Sequence, residues 1–298
     1  MRKSGVRAPS APPRPFPQRL PIGAGVAPVG RTSGAEERSL PVSQRIELHQ
    51  TVRASAASLW AACSTARGMA NWQADEVLGE VRVGHEVELH WPTLGVAQPV
   101  RVVAMDPGRQ IGFEAAGTRL ELTVHAGRVH LVHEGLSTPD EAAGTAASWR
   151  VSLALLAHYL ERHEGSQRQV HWFVRETRTT AEAAHVFFTA PAALGAWLTT
   201  AGGIGDTATP VRLKLTWGAS LTGQVLCCAA PRDVAVSWRE EGESALVLRT
   251  LPSPRRSDAR LLAAAWSCWG HSASRATTQR LAQALQRLGR LLDASPSA

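Results

Sequence analysis

The chain of 298 residues has almost no lysine: Lys3 and Lys214 are the only two, so its 32 basic side chains are nearly all arginine. It has a single tyrosine, Tyr159, and only four cysteines, Cys63, Cys227, Cys228 and Cys268. These form no C-x-x-C pair and lack the density of a disulfide framework, and the adjacent Cys227 and Cys228 cannot easily bridge each other. The N-terminus has no secretory h-region, because Pro9, Pro12, Pro13, Pro15, Pro17, Pro21 and Pro28 interrupt every apolar stretch. Reduced thiols in a cytoplasmic protein are the expectation. No run approaches the ~18 consecutive apolar residues of a membrane-spanning helix. No Gly-x-Ser-x-Gly elbow for a nucleophilic serine occurs either. The one glycine cluster, Gly202-Gly203-Ile204-Gly205, follows a helical pattern and precedes a strand-like one. That is the reverse of a phosphate loop, so it reads as a plain connection.

The net charge of +7 is unevenly placed: residues 1–42 carry a net +5 and all the rest only +2. Most of the basicity therefore sits in a Pro/Arg-rich segment and not on a folded surface, which argues against nucleic acid as a partner. Residues 1–42 read as a disordered tail, or as a start assigned upstream of the folded chain. The two remaining segments differ in sign, −3 over residues 43–168 and +5 over residues 169–298.

What the sequence does contain is an internal repeat. Trp72 and Trp197 are 125 residues apart, Trp91 and Trp217 are 126 apart, and Pro107 and Pro231 are 124 apart. A constant offset of one domain length, kept in order, indicates duplication. The local patterns repeat too. A strand-like run (Ile46, Leu48, Val52) leads into short helical segments. Strands are expected over 77–83, 86–91, 96–105, 109–115, 119–125 and 128–134. A loop over 137–140 then precedes a helix over 145–164, in which Trp149, Leu153, Leu156 and Leu160 form one apolar stripe. In the second half a strand (170–179) and helices (181–189 and 191–200) are followed by strands near 210–217, 220–229, 232–239, 244–251 and 259–268. A last helix (272–292) carries Leu281, Leu285, Leu288 and Leu292 at the same spacing. Strands segregated from helices mean an α+β fold of two tandem helix-grip domains, 43–168 and 169–294, each a curved antiparallel sheet around a long C-terminal helix.

The first half resembles the START-like (SRPBCC) superfamily, in the branch of homologues of the activator of the heat-shock-protein-90 ATPase. The resemblance lies in Ala57-Ser58-Leu59-Trp60, Trp91-Pro92, Asp106-Pro107-Gly108-Arg109-Gln110-Ile111, and His133-Glu134-Gly135-Leu136. The last leads to Ser148-Trp149 and a helix ending in His158-Tyr159-Leu160-Glu161. It covers about residues 44–165 well and the second half only through architecture and the repeat. It implies a deep, mainly apolar cavity between sheet and long helix. Members of this superfamily include ligand binders, chaperone-associated proteins and some enzymes. The chain shows no separate N-terminal activator domain and almost no lysine, which speaks against direct stimulation of the chaperone's ATPase.

Candidate cavity residues are Trp91, Phe113, His133, Trp149, Leu153, Leu156, Trp197 and Trp217, the indoles because they give large apolar walls with one donor each. The expected function is non-enzymatic: binding an apolar small molecule, or serving as a chaperone-linked or regulatory accessory. A cavity enzyme of the cyclase or hydratase type and a purely protein-binding module are the alternatives. No catalytic residue, cofactor or metal is assigned. His130 and His133 point to opposite faces of a strand, and His158 and His163 lie about 140° apart on a helix, so neither pair converges. Asp75-Glu76, Glu86 and Glu88 read as a solvated sheet face, and Cys227 as a thiol buried in an apolar strand. His133 is the one histidine expected to touch a ligand.

Overall fold

A computed structural model describes residues 43–253, 256 and 258–294. The expected tail, 1–42, lies outside them. Two seven-stranded antiparallel sheets follow one another in the chain. The first is built from β1 (Gln44–Thr51), β2 (Glu76–Leu78), β3 (Glu86–Trp91), β4 (Val96–Asp106), β5 (Gln110–Ala115), β6 (Thr118–His125) and β7 (Arg128–Leu136). Helices α1 (Ala56–Ser64) and α2 (Ala66–Ala70) lie between β1 and β2, and α3 (Pro139–Arg162) closes the domain. The second repeats the plan with β8 (Arg168–Thr177), α4 (Ala181–Thr189), α5 (Pro191–Gly195) and β9 (Thr199–Ala201). It continues through β10 (Pro210–Leu215), β11 (Ser220–Ala229), β12 (Asp233–Trp238), β13 (Ser244–Pro252), β14 (Arg260–Trp269) and α6 (Arg275–Ala294). Strand order is β1-β7-β6-β5-β4-β3-β2 in one sheet and β8-β14-β13-β12-β11-β10-β9 in the other, the same topology twice. Both are helix-grip domains of an α+β protein.

The repeat extends to single bonds. Trp72 Nε1 donates to the Ala62 carbonyl at 3.0 Å, and Trp197 Nε1 to the Phe187 carbonyl at 2.9 Å. Each indole thereby ties the end of the second short helix to the first, ten residues back. Polar termini set the helix starts: Ser55 accepts from the Ser58 amide and Thr180 from the Ala183 amide.

Some boundaries differ from the sequence expectation. The long helix α3 begins at Pro139, six residues before the expected start. Thr138 caps it by accepting from the Glu141 amide, while Glu141 reaches back to the Ser137 amide. Proline at the first helical position needs no donor there, so the expected loop is the cap itself. Strand β2 ends at Leu78, short of the expected 83, and the expected helix 191–200 stops at Gly195 so that 199–201 can pair with β10.

The larger difference concerns α3. Its stripe faces the first sheet as expected, yet almost every residue from Val151 to Tyr159 is buried, on all sides of the helix. The reason is that α3 also lies on the outer face of the second sheet, against β11 and β12. Ala147, Ala154 and Ala157 of α3 share one core with Ala229, Ala235, Ala245, Val247 and Ala265 of that sheet, small side chains that let helix and sheet approach closely. Helix α6, in contrast, buries only one face, through Leu281, Leu285, Leu288 and Leu292. A spacing of three residues along a strand predicts that Trp266 and Trp269 face opposite ways with only one inward; in β14 they do oppose, but both are buried, one in each core.

Asn71 pins the joint between domains. Its amide nitrogen donates to the Tyr159 hydroxyl at 3.1 Å, its amide oxygen accepts from the Arg168 backbone at 2.9 Å, and its carbonyl accepts from Trp269 Nε1 at 3.1 Å. Asp75 departs from the solvated reading: it is half-buried and accepts from Trp172 Nε1 of the second domain at 2.7 Å.

Candidate functional site

Alternation along β3, β4, β5 and β6 directs Leu89, Val100, Phe113, Leu120 and Leu122 into the first grip. Trp149 meets them from α3, and Met69, Trp72 and Gln73 from α2 and the residues after it. The space these leave is about 20 Å³. A void of that size has room for about one water. The deep cavity implied by the resemblance is therefore absent from this conformation, because Trp72, Phe113 and Trp149 occupy its volume. In the second grip the corresponding space holds Trp197, Trp238, Trp266 and Phe188, all among the most deeply buried side chains of the protein.

Trp149 links the void to His133, an imidazole buried inside the first domain's grip. Its Nε1 donates to His133 Nδ1 at 3.1 Å, with the two rings edge to face. An indole N–H can only donate, so Nδ1 accepts and the imidazole proton sits on Nε2. His133 is wholly buried, and its Nε2 has no hydrogen-bond partner. Burial pushes its pKa down to about 4, which keeps the ring neutral near pH 7. No carboxylate of the first domain is fully buried among the described residues.

The expected cavity residues are distributed as follows. Phe113 and Trp149 line the void and His133 is one hydrogen bond away. Leu153 and Leu156 lie fully buried in the same core, and Trp91 is half-buried at its margin. Trp197 and Trp217 belong to the second core, Trp217 at its edge. Sequence reasoning missed Met69, Leu89, Val100, Leu120 and Leu122. The strand residues among them were detectable from parity, since each shares a face with its i±2 neighbour.

Two other depressions are more polar. A cleft of about 270 Å³ runs between α3, β1 and β11 and is bordered by Gln50, His158, Glu161, Gln224, Arg239 and Glu243. Here His158 Nε2 and His163 Nε2 both meet the Glu243 carbonyl, at 2.6 and 2.9 Å. These two rings converge despite their helical spacing because His163 is the C-cap, with backbone dihedrals outside the helical region. A shallower groove of about 530 Å³ crosses the outer face of the first sheet. Along it Glu86, Arg101, Glu114 and Arg119 are successive cross-strand neighbours, and Glu134 continues this row of alternating charge beyond the groove.

Residues 53–161 match the family model described as Activator of Hsp90 ATPase homolog 1-like protein. The match lies wholly within the first domain, from just after β1 to the end of α3. Among solved structures, the di-domain ARO/CYC BexL from the BE-7585A biosynthetic pathway is 14% identical, with 85% of this chain and 100% of that chain covered at a TM-score of 0.35. DynU16, from the dynemicin biosynthetic locus, is 17% identical over 84% of this chain and 97% of its own, at a TM-score of 0.37. The Aha1 dimer from Colwellia psychrerythraea is 19% identical, covering 40% of this chain and 96% of its own at a TM-score of 0.35. A search of curated proteins finds no match. The assignment of the second domain to the same fold rests on its strand order and on the Trp72–Trp197 correspondence. Among the described residues no helix is long and apolar enough to cross a membrane.

Proposed function

We propose that this protein, with its Activator of Hsp90 ATPase homolog 1-like first domain, is a non-enzymatic binding protein for a compact, largely apolar molecule carrying one hydrogen-bond acceptor. The observation that carries this reading is the unpartnered Nε2–H of His133, buried beside the Trp149 that lines an apolar void. A buried donor without a partner costs about 1–3 kcal/mol, which an incoming acceptor would recover. Ligand entry requires the void to widen, at the cost of displacing side chains such as Met69 and the half-buried Gln73 that border it. Helix α3, held between two sheets, is the fixed wall.

The test compares a medium-chain ketone with the alkane of equal length on the full chain, read by tryptophan fluorescence and native mass spectrometry. The ketone should bind about threefold to tenfold more tightly, from a neutral hydrogen bond of roughly 0.5–1.5 kcal/mol, and His133→Leu should erase that difference. Narrowing the void from its own lining with Val100→Leu should weaken binding of both, with the fold checked by circular dichroism. Equal affinity for ketone and alkane in the unmodified protein, or binding of neither, would refute the proposal.

A further inference from the structure

The outer face of the first sheet carries a cluster that neither the resemblance nor the grip accounts for. Strands β1 and β7 pair antiparallel, with His49 directly opposite His130. Glu47 lies two residues before His49 and so shares its outward face. The two imidazoles stack at 4.3 Å between centroids with planes 8° apart. Both turn Nε2 toward one carboxylate oxygen, Glu47 Oε1, at 2.8 Å from His130 and 4.0 Å from His49. One ligand atom from each of the three lies within 4.8 Å of the others.

We propose that Glu47, His49 and His130 form a binding site for a first-row transition ion of the Zn²⁺ class, with solvent completing the coordination. Two imidazole nitrogens and one carboxylate oxygen are the donor set that such borderline ions accept, and three protein ligands leave an open, exchangeable position. At Zn–ligand distances of about 2.0–2.2 Å, tetrahedral ligand atoms stand roughly 3.3–3.5 Å apart. The present separations bracket that value, so small side-chain rotations close the site. Glu47 is held for the purpose from behind. Arg45 Nη1 binds its other oxygen, Oε2, at 2.6 Å, and Arg45 Nε is itself engaged by Glu134 at 2.9 Å. This is the outer-shell orientation that metal-binding carboxylates commonly have. The edge of a regular β-ladder, with seven consecutive paired positions from Arg45 to Thr51 in β1, fixes the three Cα positions.

The experiment uses the full chain, stripped with chelator and dialysed, and titrates ZnCl₂ by calorimetry, with CoCl₂ in parallel for its visible ligand-field bands. One Zn²⁺ should bind per chain. His49→Ala and His130→Ala should each weaken binding at least about tenfold, the scale on which lost ligation or support acts. His125→Ala, at an exposed histidine outside the cluster, should leave the affinity unchanged. All three positions are exposed or half-buried, so the fold is retained, and circular dichroism checks this. Absence of Zn²⁺ binding to the unmodified chain overturns the proposal. So does affinity that survives in the His49→Ala/His130→Ala double variant, which would place the ion elsewhere.

Discussion

The two domains share one topology and differ in what covers the outer face of the sheet. In the first, the outer face of β1 and β6 alternates cleanly between inward apolar and outward polar residues. In the second, β12 and most of β13 and β14 are buried on both faces, because the first domain's α3 rests on them. The outer residues there include Ala235, Ala245, Val247 and Ala265, beside the buried Asp233–Arg249 ion pair, where the first sheet has exposed glutamate, arginine and histidine. One helix thus serves two sheets: its leucine stripe fills its own grip and its alanine side seals the neighbour's back. Duplication supplied two equal folds, and their docking made them unequal. The free outer face remains with the first domain, where the charge row, the groove and the Glu47–His49–His130 cluster all lie.

The sharpest way to break this comparison is to place the same charge on both outer faces. Ala235→Glu buries an unpaired carboxylate under α3 and should cost upwards of about 3–5 kcal/mol. Ala97→Glu, on the outer face of β4, should stay within about ±0.5 kcal/mol. Urea unfolding of both variants decides, and similar costs would mean that α3 does not seal the second sheet. The next effect contrasts the two long helices. Leu156→Ala and Leu285→Ala both empty buried leucine sites, in the range of about 2–5 kcal/mol. The α3 site should lie at the upper end, since a helix gripped on two sides cannot collapse into the cavity, and the α6 site at the lower. Equal values by chemical denaturation would count against a shared α3. A third effect is a pH dependence centred on the first core. The folded-state pKa of His133 is about 4, against 6.5 for an exposed histidine, so the unfolded chain binds the proton more tightly. Its contribution is fully present above about pH 6.5 and is lost as pH falls toward 4, amounting to about 3 kcal/mol. His158 and His163, also shifted downward mainly by burial, add loss in the same direction. Replacing His133 with Gln should flatten the curve of stability against pH by the His133 share alone. A variant curve superimposable on the parent's would show that His133 is not buried neutral.

Local pattern was enough for the elements of each domain, because strand parity, helical stripes and turn residues are properties of neighbouring residues. The inward direction of His133 and the opposed faces of Trp266 and Trp269 were legible on the same ground. The His49–His130 pair was not, since those residues are 81 apart and only the β1–β7 register makes them neighbours. Cavity size was not legible either: apolar walls look alike in sequence whether the indoles line a space or fill it, and here Trp72 and Trp149 fill most of it.

By itself, then, the sequence determined the duplication, the α+β class and the strand and helix order, through repeat spacing and hydrophobic period. Tertiary structure alone decided that α3 is a shared helix, that Asn71 joins the domains, and that Asp75, outwardly a turn residue, is bonded to Trp172. The physical reason is that an alanine-rich strand face is only weakly apolar and carries no period of its own. Whether such a face meets water or a helix depends on what docks there, and docking is a contact between segments far apart in the chain.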